Sequence, residues 1–150
     1  MSPKAMIAMS GGVDSSAAAY LTISEGFSCV GATMRLLPGQ EASIGDARAV
    51  ADRLGMPFEL LDLSEDFRQE VIAHFVRSYE EGLTPNPCIQ CNRHLKFDFF
   101  LRQADALGCD VIVTGHYARI GYDENRGRWL LRKASDASKD QSYVLYCLNQ

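Results

Sequence analysis

Long hydrophobic runs are missing from this chain. The longest near the start, Ala5 to Met9, is too short for a signal-peptide core and far too short to span a membrane. A surplus of basic residues is missing too. Fifteen Lys and Arg stand against nineteen Asp and Glu, a net charge of −4 with the three histidines neutral. That excludes a general cationic coat for nucleic acid, though not a local basic patch. Paired cysteines are not implied. The count is five, an odd number in a chain of 150 residues, which argues against a disulfide scaffold and for a reduced, cytoplasmic setting. Internal repeats and low-complexity segments are absent. With 47% hydrophobic and 23% charged residues, a disordered tail, a collagen-like repeat and a coiled coil are excluded. The length suits one domain with a real core.

What is present is alternation. Ala5 to Met9 reads as a buried strand, Val13 to Glu25 as a helix stopped by Gly26, and Ser28 to Met34 as a second strand. Gly39 to Ser43 reads as a loop. Ile44, Ala47, Val50, Ala51 and Leu54 then repeat at helical spacing up to Gly55, and Phe58 to Leu63 is a third strand. Phe67, Val71, Phe75 and Tyr79 recur every four residues, which predicts a helix from about Asp66 to Glu81. Gly82 to Cys91, with two prolines, reads as a loop. Phe97, Phe100, Leu101, Ala104 and Leu107 form another helical stripe closed by Gly108. Asp110 to Thr114 is a fourth buried strand. Ala118 to Tyr122 and Arg128 to Lys133 flank a polar turn and predict a hairpin. Asp140 to Leu148 reads as a last helix behind a capping box at Ser138 and Gln141. Strand–helix alternation at this spacing predicts an α/β fold, a doubly wound parallel sheet with a small β-hairpin near the C-terminus.

The strongest motif is Ser10-Gly11-Gly12-Val13-Asp14-Ser15-Ser16, directly after the first strand and opening the first helix. Two glycines allow a tight turn that exposes backbone N–H groups, and the helix N-terminus adds partial positive charge. Together they make an anion cradle. Asp14 would repel a bare phosphate. It makes sense working through magnesium or capping the helix. A plain Gly-Gly turn with a serine or aspartate cap would carry the same letters. The motif is neither a Walker loop nor GxGxxG.

SGGVDSS after an opening strand resembles the PP-loop of the ATP pyrophosphatase family, whose Rossmann-like fold is of the adenine nucleotide α-hydrolase type. Members cut ATP between its α- and β-phosphates and adenylate an oxygen of a second substrate. A second segment, Thr84-Pro-Asn-Pro-Cys-Ile-Gln-Cys91-Asn with Lys96-Phe97, is similar to the tRNA-specific 2-thiouridylases. So are Thr114-Gly115-His116-Tyr117 and Ser138-Lys139-Asp140-Gln141-Ser142-Tyr143. The four motifs span residues 8 to 143 in order.

That resemblance implies ATP-dependent 2-thiolation of the wobble uridine of tRNAs of the Lys, Glu and Gln type. Residues 1–150 would be the PP-loop catalytic domain, without the family's C-terminal tRNA-binding domains. Ala8, Met9, Ser10, Gly11, Gly12, Val13, Asp14 and Ser15 would hold the ATP phosphates with magnesium. Met34 would meet the adenine, and Gly115 would line the pocket. Asn86, Pro87 and Cys88 would face the target base. His116, Lys139, Asp140 and Gln141 would touch tRNA. Cys91 would be the nucleophile, its thiol pKa lowered by a helix beginning near Phe97 and by Arg93 and Lys96. Sulfur would come from a relay protein or a cysteine desulfurase.

The chain departs from the family pattern at Cys88, where the family has aspartate. The resulting C-x-x-C suits a redox pair, a zinc half-site or an iron–sulfur half-site. A second class of tRNA thiolases holds a cluster with three cysteines, which makes Cys88 and Cys91 candidate cluster ligands, with Cys147 a conceivable third. Cys29 and Cys109 read as core thiols, Cys147 and Trp129 as packing residues, and His74 as a surface or interface histidine. Two other functions stay open: a PP-loop ligase adenylating a small metabolite, and a non-catalytic nucleotide- or cluster-binding module.

Overall fold

The computed structural model describes residues 2–150. Its centre is a four-stranded parallel sheet in the order β3-β2-β1-β4, formed by β1 (Lys4–Ala8), β2 (Ser28–Arg35), β3 (Phe58–Asp62) and β4 (Val111–Val113). Strands buried on both faces are apolar throughout rather than alternating. β1 fits: Ala5, Met6 and Ile7 have no exposed surface at all.

Alternate residues of β1 and β2 face different helical layers. On one side Ala5, Ile7 and Cys29 pack with Ala19 of α1 (Val13–Ser24) and with Ala47 and Ala51 of α2 (Glu41–Leu54). On the other, Met6, Val30 and Ala32 pack with Phe100 and Ala104. The doubly wound parallel sheet predicted from the alternation is therefore present. Small alanines at the helix contacts let α1 and α2 lie close to the sheet. Cys29 and Cys109 are buried in this core, as their positions beside strands predicted.

Two helical runs depart from the predicted bounds. The third (residues 64–80) is α-helical at Ser64–Phe67, π-helical at Arg68–Ile72 and α-helical again at Ala73–Glu80. The fourth starts ten residues before the predicted Phe97. It is α-helical at Pro87–Cys91, π-helical at Asn92–Phe99 and α-helical at Phe100–Ala106. The reason is local. Asn86 is the N-cap, its side-chain oxygen accepting a 3.1 Å bond from the Cys88 N–H, and Pro87 occupies the first helical position. Proline is well placed there because the missing N–H would have had no partner. The proline that suggested a loop therefore marks a start. α2 likewise begins three residues early, absorbing most of the expected 39–43 loop.

The hairpin is present as β5 (Ala118–Asp123) antiparallel to β6 (Arg128–Lys133). Trp129 is not packed inside. It stacks edge-on against Tyr122 at 5.4 Å, with 56% of its surface exposed. The predicted helix over 140–148 does not form. Only a 3₁₀ turn, Ser142–Val144, appears. The capping box fails because its members are engaged elsewhere. The Ser138 hydroxyl donates to Asp136 at 2.6 Å, and the Gln141 side chain accepts from the Tyr117 N–H at 2.9 Å. Among the described residues no helix is long and apolar enough to cross a membrane.

Candidate functional site

In an open parallel sheet the crevice lies beyond the carboxyl ends of the strands, where the winding changes side. Here that point is between β1 and β4. α1 leaves β1 toward one face, and the fourth helical run, on the other face, leads into β4. A cleft of about 240 Å³ opens there. Its lining includes Ser10, Asp14 and Ser15 from the glycine loop and Gly115 and His116 from beyond β4. Ala8, Met9, Met34 and Gln141 complete the predicted set that reaches it.

The loop is built for close backbone approach. Gly11 has φ +78°, and a Cβ there would lie 2.8 Å from the Ser43 carbonyl oxygen and 2.9 Å from the Asp46 Cβ. Gly12 is the N-cap of α1 with no side-chain cap, so the aspartate or serine cap considered from sequence does not occur. The hydroxyls tie the loop to itself. Ser10 and Ser15 Oγ lie 3.1 Å apart, and Ser15 and Ser16 both donate to the Gly12 carbonyl. Gly115 presses on the same helix end, where a Cβ would come within 3.0 Å of the Asp14 carbonyl carbon and the Ser15 nitrogen. The missing side chain of Gly11 thus lets the loop lie against α2, and that of Gly115 lets the segment after β4 lie against the start of α1.

Asp14 neither caps α1 nor stands free. Its Oδ1 accepts a 2.6 Å hydrogen bond from the Tyr117 hydroxyl. That bond, followed by burial, pushes the Tyr117 phenol pKa up. His116 Nδ1 lies 2.8 Å from Thr114 Oγ1, and its ring faces Phe97 at 6.0 Å. Burial, and then the Lys96 charge, hold its imidazole below the ordinary value of 6.5. The unfolded chain therefore binds a proton at a pH where the folded one does not. The stabilisation is complete above about pH 6.5 and is lost as pH falls toward the lowered folded value. We expect the urea midpoint to drop between pH 7.5 and 5.5, and to drop less in His116→Gln. Equal drops in the two proteins would remove His116 as a source of the pH dependence.

Besides Thr114, which lines the cleft and bonds His116, sequence reasoning missed two site residues. Lys96 lines the cleft and has no hydrogen-bond or ion-pair partner among the described residues. Tyr117 holds Asp14. Both lay inside motifs already singled out, but only the folded chain shows which way they point.

The cysteines correct a second expectation. Cys91 does not precede its helix. It lies inside the fourth run, 8% exposed, among Leu63, Val71 and Leu95. Burial pushes its thiol up, Lys96 pulls it down and Cys88 pushes it up again, with burial the largest effect. The expected lowered pKa is therefore reversed. Cys88 is the exposed thiol, in the first helical turn. Asn92 is buried between these features. Its Nδ2 donates to the Cys88 carbonyl at 2.8 Å, and its Oδ1 lacks a partner among the described residues. Among the described residues no three His, Cys, Asp or Glu side chains group to hold a metal. The donors present do not fit the suggested cluster, and Cys147 does not join them.

Asn86, Pro87, Cys88, Lys139 and Asp140 do not line the cleft, nor do Gly11, Gly12 and Val13. Asp140 is structural in this fold. It accepts from the Ala134 N–H at 2.7 Å and from the Ser142 hydroxyl at 2.7 Å, which lowers its pKa. Lys139 lies over the Tyr117 ring, its Nζ 5.2 Å from the centroid.

Comparison with known proteins agrees with this architecture. Similar folds occur in a predicted tRNA methyltransferase subunit from Methanocaldococcus jannaschii (TM-score 0.51, 18% identity, 75% of this chain and 52% of that one). They occur also in the NH3-dependent NAD synthetase of Campylobacter jejuni (TM-score 0.54, 15% identity, 76% and 47%). At such identities the likeness concerns the fold alone. In sequence, the chain is 47% identical over 161 residues to the tRNA-specific 2-thiouridylase MnmA of Clostridioides difficile, covering 100% of this chain and 45% of that protein. It is 48% identical over 157 residues to the Moorella thermoacetica protein of the same name, covering 97% and 44%. The chain thus spans a little under half the length of these curated relatives. The family model described as the tRNA methyl transferase HUP domain matches residues 3–150. Cleft, sheet order and this match together place the chain in the tRNA methyl transferase HUP domain family, with its nearly full length similar to tRNA-specific 2-thiouridylases.

Proposed function

We propose that this chain is the ATP-binding catalytic domain of a tRNA-uridine 2-sulfurtransferase. The observation that carries the reading is the cleft itself, where the loop hydroxyls of Ser10 and Ser15, Lys96 and the half-buried His116 converge. An anion bound on the loop would meet backbone N–H groups of α1, two hydroxyls and one lysine. That donor set fits a triphosphate.

The chemistry then follows from the groups. The oxygen at uracil C2 is a poor leaving group. Its attack on the α-phosphorus of ATP releases pyrophosphate, and the oxygen can then depart with AMP. Lys96 meets the negative charge that gathers on the phosphate oxygens, and does so within a half-buried cleft where charge interactions are stronger than in water. Burial and the Lys96 charge both favour the neutral form of His116, so it can position a base edge beside Lys96 without charge repulsion. Asp14 is the carboxylate that would hold magnesium, which when bound supplies charge neutralisation to the phosphates. Sulfur arrives as the outer sulfur of a persulfide from a relay protein or a cysteine desulfurase in the cytoplasm and bonds C2 as AMP leaves. The Cys91 thiol then attacks the sulfur–sulfur bond, leaving the thiolated base and a disulfide between Cys91 and the carrier cysteine. No step runs through an iron–sulfur cluster. The RNA partners are tRNAs with a wobble uridine, of the Lys, Glu and Gln type.

The test is pyrophosphate release from ATP, with and without such a tRNA. Release should depend on the tRNA. Lys96→Met should lower it at least about tenfold, the scale expected for removing one positioned donor to developing charge, and Lys96→Arg should restore part of it. Undiminished release by Lys96→Met would overturn the assignment of the cleft. Release driven by a small metabolite instead of tRNA would favour the ligase reading.

A further inference from the structure

Asp14 is exposed, in the first turn of α1, on a side chain with two free torsions. Among the described residues one hydrogen bond orients it, the 2.6 Å bond from the Tyr117 hydroxyl. Tyr117 comes from 103 positions away in the chain and is itself held firmly. Its N–H donates to Gln141 Oε1 at 2.9 Å, and its carbonyl accepts from the Gln141 N–H at 2.8 Å. Lys139 lies on its ring. A residue clamped on both sides of its backbone thus aims a side chain that nothing else aims.

We propose that Tyr117 is a positioning residue for the glycine loop, fixing the Asp14 carboxylate in the direction that receives a magnesium–nucleotide complex. This rests on the nucleotide reading above. The bond occupies Oδ1 and, among the described residues, leaves Oδ2 without a partner, while Asp14 itself lines the cleft. Without the hydroxyl, Asp14 would sample several rotamers, and binding would have to order it again. Tyr117 does not line the cleft, so its effect must pass through Asp14. This makes the inference testable as a coupling rather than as a loss.

The experiment measures ATP binding by calorimetry in the 150-residue chain, with magnesium and again in EDTA. Four proteins are compared: wild type, Tyr117→Phe, Asp14→Asn and the double variant. Thermal unfolding reports whether each is folded. Tyr117→Phe should weaken magnesium–ATP binding about five- to tenfold, in line with one hydrogen bond to a charged group. It should change nothing in EDTA, and nothing further in the Asp14→Asn background. Unchanged magnesium–ATP affinity in Tyr117→Phe would overturn the inference and leave the nucleotide reading intact. So would an equal loss in the Asp14→Asn background or without magnesium. If the wild type fails to bind magnesium–ATP at all, the nucleotide reading fails and takes this inference with it.

Discussion

Replacing Gly11 by alanine should abolish measurable nucleotide binding and lower the stability of the chain as well. Two costs combine at this position. The backbone sits at φ +78°, a conformation that costs an L-residue on the order of 1–3 kcal/mol. The added methyl would also lie 2.8 Å from the Ser43 carbonyl oxygen and 3.2 Å from the Ala47 nitrogen. Both are backbone atoms of α2 that cannot rotate aside. Either α2 or the loop must shift, and the loop has less to hold it. The turn that aims N–H groups into the cleft is then lost. Gly12→Ala is the control. Its φ is −84°, and a Cβ would meet only Ser10 Oγ at 3.4 Å, so fold and stability should change little. Urea titration and ATP calorimetry on both variants read the two effects. Equal behaviour of the two would mean that the contact with α2 does not shape the loop.

The second large effect concerns sulfur. Cys91→Ser should eliminate 2-thiouridine formation while leaving ATP binding within about twofold, since Cys91 lies in an apolar cluster and does not line the cleft. Cys88→Ser should lower the rate without abolishing it, because an exposed residue of the first helical turn can be replaced by another small polar one. The thiols should also differ in reactivity. Nucleophilic attack needs thiolate, and burial pushes the Cys91 thiol up. Iodoacetamide at neutral pH should therefore label Cys88 at least about tenfold faster than Cys91, with the sites resolved by peptide mass spectrometry. Thiolation by Cys91→Ser at the wild-type rate would end the nucleophile assignment. Fast labelling of Cys91 would show that its cluster opens readily in the free chain.

Much of this was legible in the residues. β1 could be read because a strand buried on both faces needs no alternation, and Ala5-Met-Ile-Ala-Met9 has none. The glycine loop was readable because few other needs place two glycines between a strand and a helix. Asn86-Pro87 was readable in principle and was misread. Proline breaks a helix interior but suits its first position, and only the asparagine before it separates the two cases. The error carried into the chemistry, since a helix starting at Phe97 would have put Cys91 at a positive end and in solvent. Burial instead dominates its pKa. The final segment failed for a different reason. The Ser138 and Gln141 spacing satisfies the capping pattern, but Gln141 gains more by clamping Tyr117, a partner 24 positions away. Local pattern cannot register such competition, and for the same reason the Tyr117–Asp14 pair could not be seen before the chain was folded.

The π-helical stretch Asn92–Phe99 acts as a change of phase along one rod. Cys91 and Leu95, four apart, serve one apolar cluster, while Phe100 and Ala104, also four apart, serve another. Between the pairs the step is five. At 3.6 residues per turn a step of five rotates a side chain about 140° past its starting direction, whereas i→i+5 hydrogen bonding brings it back toward alignment. The same geometry draws Lys96 round toward Cys91, five residues before it, so that the cleft's ammonium and the buried sulfur sense one another. A chain shortened by one residue in this stretch would leave a step of four between the pairs, which an ordinary α-helix makes with only about 40° of offset, so the wide turn is what lets one extra residue fit without turning the sulfur-bearing half away from the sheet-bearing half.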